Sequence, residues 1–299
     1  MCGGEARNHE TVRPDLALQR CQLCGIVFLP LQSNAMEYVR KMETEFFSDG
    51  FATRNDIWQA RFDQWKARQT IRRLHRFVHA GRLLEVGIGS GVFLNAAKLA
   101  GFDCMGIEAS SHIADHVRRT YKLPVFQGYL EDFDSATPQA RFDIIVMNHV
   151  LEHMTDPKAM LHRVSVLLNK GGILHISVPN IAAWEAKLPG WTSYEPYHLY
   201  YFSRATLLPL LKNDKLRAVL VETVEPFSGW FNALTRTIMW VRYQRIRMSE
   251  SSKRTGWRPI ALNAANLCRI GLGAMTWPFR YIQAMVNRGE ELVAVATKE

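Results

Sequence analysis

Leu83-Leu84-Glu85-Val86-Gly87-Ile88-Gly89-Ser90-Gly91-Val92-Phe93 is the stretch that decides the fold. The short apolar run at 83–86 predicts a strand buried on both faces. Three glycines then permit positive φ and let a ligand approach the backbone closely. Val92 and Phe93 open a helix, whose first N–H groups are free to meet ligand oxygens. Strand, glycine turn and helix in that order read as a nucleotide or dinucleotide site in an open α/β sheet.

Outward from this stretch the pattern repeats. Apolar runs at 83–86, 104–107, 124–126, 144–147 and 173–178 alternate with helical stretches at 92–100, 111–121 and 157–168. Such alternation predicts a parallel sheet covered by helices on both faces. Gly101, Gly128 and the pair Gly171-Gly172 punctuate it where elements end. A helix at 204–213, a strand at 218–224 and a last apolar run at 292–296 complete the pattern. The intervening stretch is too long for a plain loop and has structure of its own. Upstream, Trp58, Phe62, Trp65, Gln69, Arg72 and Arg76 recur at helical spacing. The expected organisation is a partial cysteine unit at 1–32, a helical cap at 33–80 and a Rossmann-like α/β core at 81–225. A basic amphipathic helical insertion at 226–290 and a final core strand at 291–299 follow.

Composition limits the possibilities. A hydrophobic fraction of 47% and a charged fraction of 22% describe a globular chain and exclude global disorder. The first ten residues lack the basic patch and apolar core of a secretory signal. No stretch of about 20 residues is free of charge, so no spanning helix is expected. Five cysteines, an odd number, suit a reducing compartment. A cytoplasmic protein is the expectation. The net charge of +9 is concentrated: ten basic residues lie between Pro226 and Gly289 against one acid, Glu250. The remainder is nearly balanced, and no nucleic-acid partner is expected.

Two details narrow the ligand of the glycine turn. A dinucleotide fingerprint places its third glycine where Val92 stands, whereas the spacing here is G-x-G-x-G with Glu85 two residues before it. The second strand ends in Gly106-Ile107-Glu108, which sets a carboxylate where a ribose diol would lie, able to accept both hydroxyls. With these features, residues 82–224 resemble the class I S-adenosylmethionine-dependent methyltransferases, in the branch that includes ubiquinone-type and sugar-pathway enzymes. The matching words are LLEVGIGSG, GIEAS, GYLEDF, RFDIIVMNHVLEHMTDP, LLNKGGILHISVPN and YHLYYFSRATLLPLL, in order over about half the chain. S-adenosylmethionine carries no phosphate, so the loop need not widen around a pyrophosphate.

The resemblance implies roles for individual residues. Glu85, Gly87, Gly89 and Gly91 would surround the methionine and ribose, and Glu108 would hold the ribose hydroxyls. Leu130 and Glu131, with Asp132 as an alternative, would lie beside the adenine. Asn148 and His149 would face the methionine part and the reacting methyl. The sulfonium already activates that methyl, leaving the protein to align a nucleophile and exclude water. For a hydroxyl nucleophile a histidine base is the usual device. His198 is the first candidate, His153 the second; His149 reads as a cofactor contact, and Asp143 as structural. Trp184, Trp191, Tyr194, Tyr197, Tyr200 and Tyr201 form an aromatic group able to line an acceptor pocket. The expected activity is methyl transfer to a small or lipid-linked acceptor, with oxygen favoured. Carbon or nitrogen methylation of a sugar is one alternative; a binding protein with an inert Rossmann-like domain is another.

Two segments lie outside this core. Cys21-Gln22-Leu23-Cys24 is one half of a zinc ribbon, and Cys2 resembles the second cysteine of the other half. Three readings stand for zinc on Cys2, Cys21 and Cys24: a start set too late that cuts off the first ligand, His9 in place of that ligand, or a decayed, metal-free relic. In the insertion, Trp230, Phe231, Leu234, Ile238 and Val241 keep helical spacing among arginines, and Trp277, Phe279 and Tyr281 follow. Apolar faces with arginine and interfacial aromatics suit a helix lying in a membrane surface, here through 228–288; a lid or dimer contact is the alternative.

Overall fold

The computed structural model describes residues 2–9, 13, 16–30, 57–137, 139–195, 197–225, 229–247, 273 and 275–299. Much of the expected 33–80 cap, and the insertion's Lys253, Arg254, Arg258 and Arg269, lie outside the described residues. Three short strands come first: β1 (Ala6–Asn8), β2 (Gln19–Cys21) and β3 (Val27–Phe28). Helix α1 (Ile57–Leu74) follows. The alternating region then runs β4 (Arg82–Val86), α2 (Val92–Leu99), β5 (Asp103–Glu108), α3 (Ser111–Tyr121), β6 (Val125–Gln127), α4 (Leu130–Ala136), β7 (Phe142–Asn148), α5 (Pro157–Leu167) and β8 (Leu168–Pro179). After it come β9 (Tyr200–Tyr201), α6 (Arg204–Asn213), β10 (Leu216–Val224), α7 (Gly229–Arg247), α8 (Trp277–Met285) and β11 (Glu291–Lys298).

Local chemistry sets the element ends. Ser110 caps α3 by accepting from the Ile113 N–H, and Asp156 caps α5 by accepting from Lys158 and Ala159, with Pro157 at the first helical position. The central strands are apolar on both sides: Ile144, Ile145, Val146 and Met147 are all fully buried. They pair in the order β10-β11-β8-β7-β4-β5-β6. The five from β8 to β6 are parallel, while β11 runs antiparallel between β8 and β10. One core fills the face carrying Leu84, Met147 and Leu161; a second fills the face carrying Leu83, Ile144 and Val117. The doubly covered α/β sheet expected from the sequence is present, with its parallel strand ends gathered on one side.

The cysteine unit is not a free appendage. Strand β3 pairs antiparallel with β9, Val27 opposite Tyr201 and Phe28 opposite Tyr200, giving a second sheet β1-β2-β3-β9. The Leu29 N–H donates to the Leu199 carbonyl at 2.9 Å. The unit is thereby joined to the connection that follows β8.

The described parts of the insertion are helical and fastened to the core at several places: Arg236 of α7 pairs with Glu195 at 2.6 Å, the Gly190 N–H donates to the Thr237 hydroxyl, and Thr223 donates to the Ala284 carbonyl of α8. Gln283 of α8 is fully buried. It donates to Glu185 Oε2 at 2.7 Å, Glu225 Oε2 at 3.1 Å and the Arg288 carbonyl at 2.8 Å, and accepts from the Trp230 indole at 2.8 Å. Around it Glu185, Glu225 and Glu290 are buried together. Burial and the neighbouring carboxylates push Glu225 up to about 10, and burial raises Glu290 to about 7. The outer faces are apolar: Ile238, Met239, Trp277, Tyr281 and Met285 are exposed. Among the described residues no helix is long and apolar enough to cross a membrane.

Candidate active site

At the carboxyl ends of β4, β5 and β7 the sheet opens into a cavity of about 1180 Å³. This exceeds the ~300–1,000 Å³ common for one small ligand, so a nucleoside cofactor leaves room for an acceptor. The glycine turn forms its floor. Gly87, Gly89 and Gly91 have φ of 72°, 49° and 74°, the left-handed region. A Cβ on Gly87 would stand 2.7 Å from Val150 Cγ2, so the turn is packed against the segment after β7.

Of the cofactor residues expected from the sequence, all but Gly91 line this cavity; a Cβ on Gly91 would instead meet Val117 of α3 at 2.6 Å, so this glycine serves the packing of the turn against that helix. Glu85 is buried with Oε2 unpaired, and burial, then the Glu108 charge, push its carboxyl well above the usual range. Glu108 lies at the end of β5, its Oε1 accepting from the Ser110 N–H at 2.9 Å. Leu130 and Glu131 border the far side. Asp132 is engaged in holding the turn, accepting from the Tyr129 N–H at 3.2 Å. Asn148 and His149 lie where β7 ends. His149 has φ of 54°, a conformation non-glycine residues rarely adopt and one met at functional sites.

The surroundings of His149 include groups that sequence reasoning missed. Its Nδ1 lies 3.2 Å from Glu152 Oε1, and its Nε2 3.3 Å from Lys66 Nζ and 3.7 Å from Glu291 Oε1. Burial and the Lys66 charge disfavour the imidazolium, but hydrogen bonds to Glu152 and Glu291 outweigh them and hold its pKa up at about 9. Glu291 also meets Lys66 Nζ at 3.2 Å and accepts from the Ser177 hydroxyl; these partners hold it well below the usual carboxylate range despite burial. Lys66 comes from α1 and Glu291 from β11, more than two hundred residues apart, and no local spacing announces their meeting. Glu152 could have been suspected, since it stands three residues from one histidine and next to another.

The two base candidates lie together and differ in burial. His198 is buried, its Nδ1 2.8 Å from the Ser193 carbonyl, and burial, then the His153 charge, bring its pKa down to about 4. Such an imidazole takes a proton reluctantly. His153 is less buried, with Nδ1 3.1 Å from the Tyr197 carbonyl and its ring stacked on Tyr197. Ligating atoms of Glu152, His153 and His198 all lie within 4.8 Å of one another. The aromatic expectation needs a larger correction. Of its six members only Tyr197 lines the cavity. Trp191, Tyr194 and Tyr201 are buried in a separate core, Tyr200 packs on Phe28, and Trp184 on Phe279. The first three rings pack with Leu16, Leu18 and Val27 of the cysteine unit, which gives them apolar neighbours away from the cavity. Trp65, Gln69 and Thr70 of α1 border the cavity instead. Asp143 holds strands together, accepting from the Arg82 N–H and the Asn169 amide at 2.9 and 2.8 Å.

At the cysteine unit, Cys2, Cys21 and Cys24 place their sulfurs within 4.8 Å of one another, and His9 lies outside that group. The backbone N–H of Cys24 and the Cys2 thiol lower Cys21 to about 7 against its burial, while burial and the other two thiols raise Cys24 to about 11. Cys21 is thus the more acidic of this pair.

An open sheet of this strand order, with a glycine turn, an acid ending the second strand and a polar strand end opposite, defines a class I S-adenosylmethionine-dependent methyltransferase. A family model described as "Methyltransferase domain" matches residues 58–220, more than half of the chain, and the chain belongs to that family. Curated relatives include a ubiquinone biosynthesis O-methyltransferase of Bradyrhizobium sp. (strain ORS 278), 32% identical over 33% of this chain and 40% of that protein. Another, from Actinobacillus pleuropneumoniae serotype 7 (strain AP76), is 29% identical over 33% of this chain and 46% of that protein. The chain spans less than half the length of either relative. Among solved structures, a SAM-dependent methyltransferase from Archaeoglobus fulgidus aligns with TM-score 0.52 at 16% identity, covering 87% of this chain and all of that one. The Burkholderia thailandensis 1,6-didemethyltoxoflavin-N1-methyltransferase, bound to 1,6-didemethyltoxoflavin and S-adenosylhomocysteine, aligns with TM-score 0.50 at 16% identity over 91% of this chain and 95% of that one. These likenesses establish the fold.

Proposed function

We propose that the chain methylates a hydroxyl oxygen of a small or lipid-linked acceptor, in a quinone, polysaccharide or glycolipid pathway. The observation that carries this reading is the imidazole pair His153 and His198 beside the glycine turn, in a cavity with room for two ligands. An alkylated oxygen must lose its proton, whereas a sugar carbon or an amine makes different demands on the site. The partial likeness to ubiquinone O-methyltransferases agrees with it. In this reading Glu85, Gly87, Gly89 and Gly91 enclose the methionine and ribose, Glu108 takes the ribose hydroxyls, and Leu130 and Glu131 flank the adenine. Asn148 and His149 sit beside the methionine part. His153 receives the acceptor proton, with His198 behind it.

Two further assignments belong to the same proposal. Cys2, Cys21 and Cys24 hold a structural zinc, since the Cys2 thiol meets the two thiols of the Cys21–Cys24 turn and Cys21 is acidified. The exposed apolar faces of α7 and α8 rest on the cytoplasmic face of a membrane, bringing the cavity to a lipid-linked acceptor. The test is transfer of labelled methyl from S-adenosylmethionine to three acceptor sets: hydroxylated quinols, reducing sugars, and amines. Label appearing in an ether of the first set supports the reading. Label confined to carbon or nitrogen products refutes it, and absence of cofactor binding by calorimetry would favour an inert module.

A further inference from the structure

Glu152 is the one fully buried carboxylate among three imidazoles. The single turn of 3-10 helix Leu151–His153 places it there, and the Leu199 N–H fastens the turn by donating to its carbonyl at 2.8 Å. One carboxylate oxygen, Oε1, meets His149 Nδ1 at 3.2 Å; the other, Oε2, is buried without a partner. An unsatisfied buried oxygen is expensive to keep and calls for a reason.

The reason lies in the two imidazoles beside it. Nδ1 of His153 and Nδ1 of His198 each face a backbone carbonyl, Tyr197 O at 3.1 Å and Ser193 O at 2.8 Å. A carbonyl only accepts, so each Nδ1 carries the hydrogen and each neutral ring keeps one lone pair on the other nitrogen. Ring nitrogens of both lie within 4.8 Å of Glu152. Before reaction the group therefore offers acceptors and lacks one donor.

The geometry points to Glu152 as the positioning residue of methyl transfer, its carboxylate completed by the proton that the acceptor hydroxyl releases. This rests on the O-methylation reading above. In the step, an oxygen lone pair forms the O–CH3 bond, the C–S bond breaks, and its electron pair stays on sulfur as a neutral thioether. The hydroxyl proton passes to the imidazole of His153. The positive charge that leaves the sulfonium reappears on the imidazolium opposite Glu152. An interaction made only as the proton moves lowers the barrier, whereas one made equally in the ground state does not. The charged groups facing Glu152 are His149 at the end of β7, His153 on its own turn and His198 before β9. Lys66 of α1 and Glu291 of β11 reach it through His149. Burial opposes its charge, but the hydrogen bond from His149 and the positive charge of that ring hold its carboxyl below the usual range.

The test uses the full chain and needs no identified acceptor. Histidine side-chain NMR is titrated in the native protein and in Glu152→Gln, with S-adenosylhomocysteine binding followed by calorimetry. In Glu152→Gln the midpoint of His149 falls by one pH unit or more, a tenfold change in proton affinity, while S-adenosylhomocysteine still binds; Glu152→Asp restores part of the shift. An unmoved His149 midpoint in folded Glu152→Gln overturns the proposal. If that variant does not fold, the native titration decides: His149 remaining charged well above neutrality supports it, and all cavity histidines titrating as free imidazole overturn it. One tightly held divalent ion per chain, lost together with the Glu152 carboxylate, would also overturn it, because the cation would supply the missing partner. Failure of the O-methylation reading shows separately, as label in carbon or nitrogen products with the titration shifts intact.

Discussion

Replacing Gly87 by alanine should expose how the glycine turn is held. Gly87 has φ of 72°, and a Cβ there would stand 2.7 Å from Val150 Cγ2. The left-handed backbone costs a non-glycine residue ~1–2 kcal/mol. Crowding a buried valine adds ~1–3 kcal/mol of overpacking. The expected total of ~2–5 kcal/mol is a large part of a domain's usual ~5–15 kcal/mol. It divides between a lower unfolding free energy and weaker S-adenosylhomocysteine binding, according to whether the turn keeps its shape. Urea unfolding and calorimetry on the same protein measure both parts. The double variant Gly87→Ala/Val150→Ala separates the causes: removing Cγ2 relieves the contact and leaves the backbone cost. The two changes should therefore couple favourably by ~1–3 kcal/mol, as touching residues do. Gly87→Ala within 0.5 kcal/mol of native in both assays, or no coupling with Val150→Ala, would refute the reasoning.

Four other outcomes are expected. Glu225 holds its proton to about 10 in the fold but ionises at the ordinary value when unfolded, so stability is greatest at low pH and falls as pH rises between the two. Glu225→Gln should flatten that decline in pH-dependent urea unfolding; an unchanged slope speaks against a protonated Glu225. His175 is buried with both nitrogens unpaired, and burial, then Arg73, lower it to about 3. The unfolded chain takes up this proton below about 6.5, so stability falls with acid by at most ~1.4 kcal/mol per pH unit per proton, and His175→Leu should remove that component. Gln283→Leu leaves Glu185, Glu225 and the Trp230 indole without their shared amide and should cost ~2–4 kcal/mol, seen first as faster hydrogen exchange in α7 and α8. Cys21→Ser should abolish stoichiometric zinc and lower the melting temperature; metal-free native protein of unchanged stability would contradict the thiolate assignment.

Much of the central sheet was legible because its signals are local. The run at 83–86 with its three glycines fixed one strand and its helix, and caps such as Ser110 and Asp156 sit one residue before the helices they start. The second sheet was not legible. Strands β3 and β9 contribute two residues each, too few for any alternation to register, and their pairing joins positions 27 and 201. The aromatic residues near 191–201 carried the right chemistry in the wrong direction, since composition does not tell which way a loop turns its rings. Trp191 and Tyr201 face a core built partly by Leu16 and Leu18, far away in sequence. Lys66 and Glu291 were missed for the same reason. Burial likewise separates the two histidines in a way the sequence does not announce: His198 is buried and its pKa is brought down to about 4, whereas His153 keeps partial exposure.

The order of strands carries a consequence for synthesis. Strand β10 is made before β11 yet lies outside it, touching the rest of the sheet only through β11. While the chain is leaving the ribosome, β10 has no edge to join, and β8 waits with one side bare. The half of the sheet that bears the glycine turn can assemble early around β4 and β5. The half that supplies Glu291 must follow, so a nascent chain passes through a stage with a formed nucleoside floor and an unfinished opposite wall. Chaperones that shield bare strand edges have their natural moment of engagement in that interval.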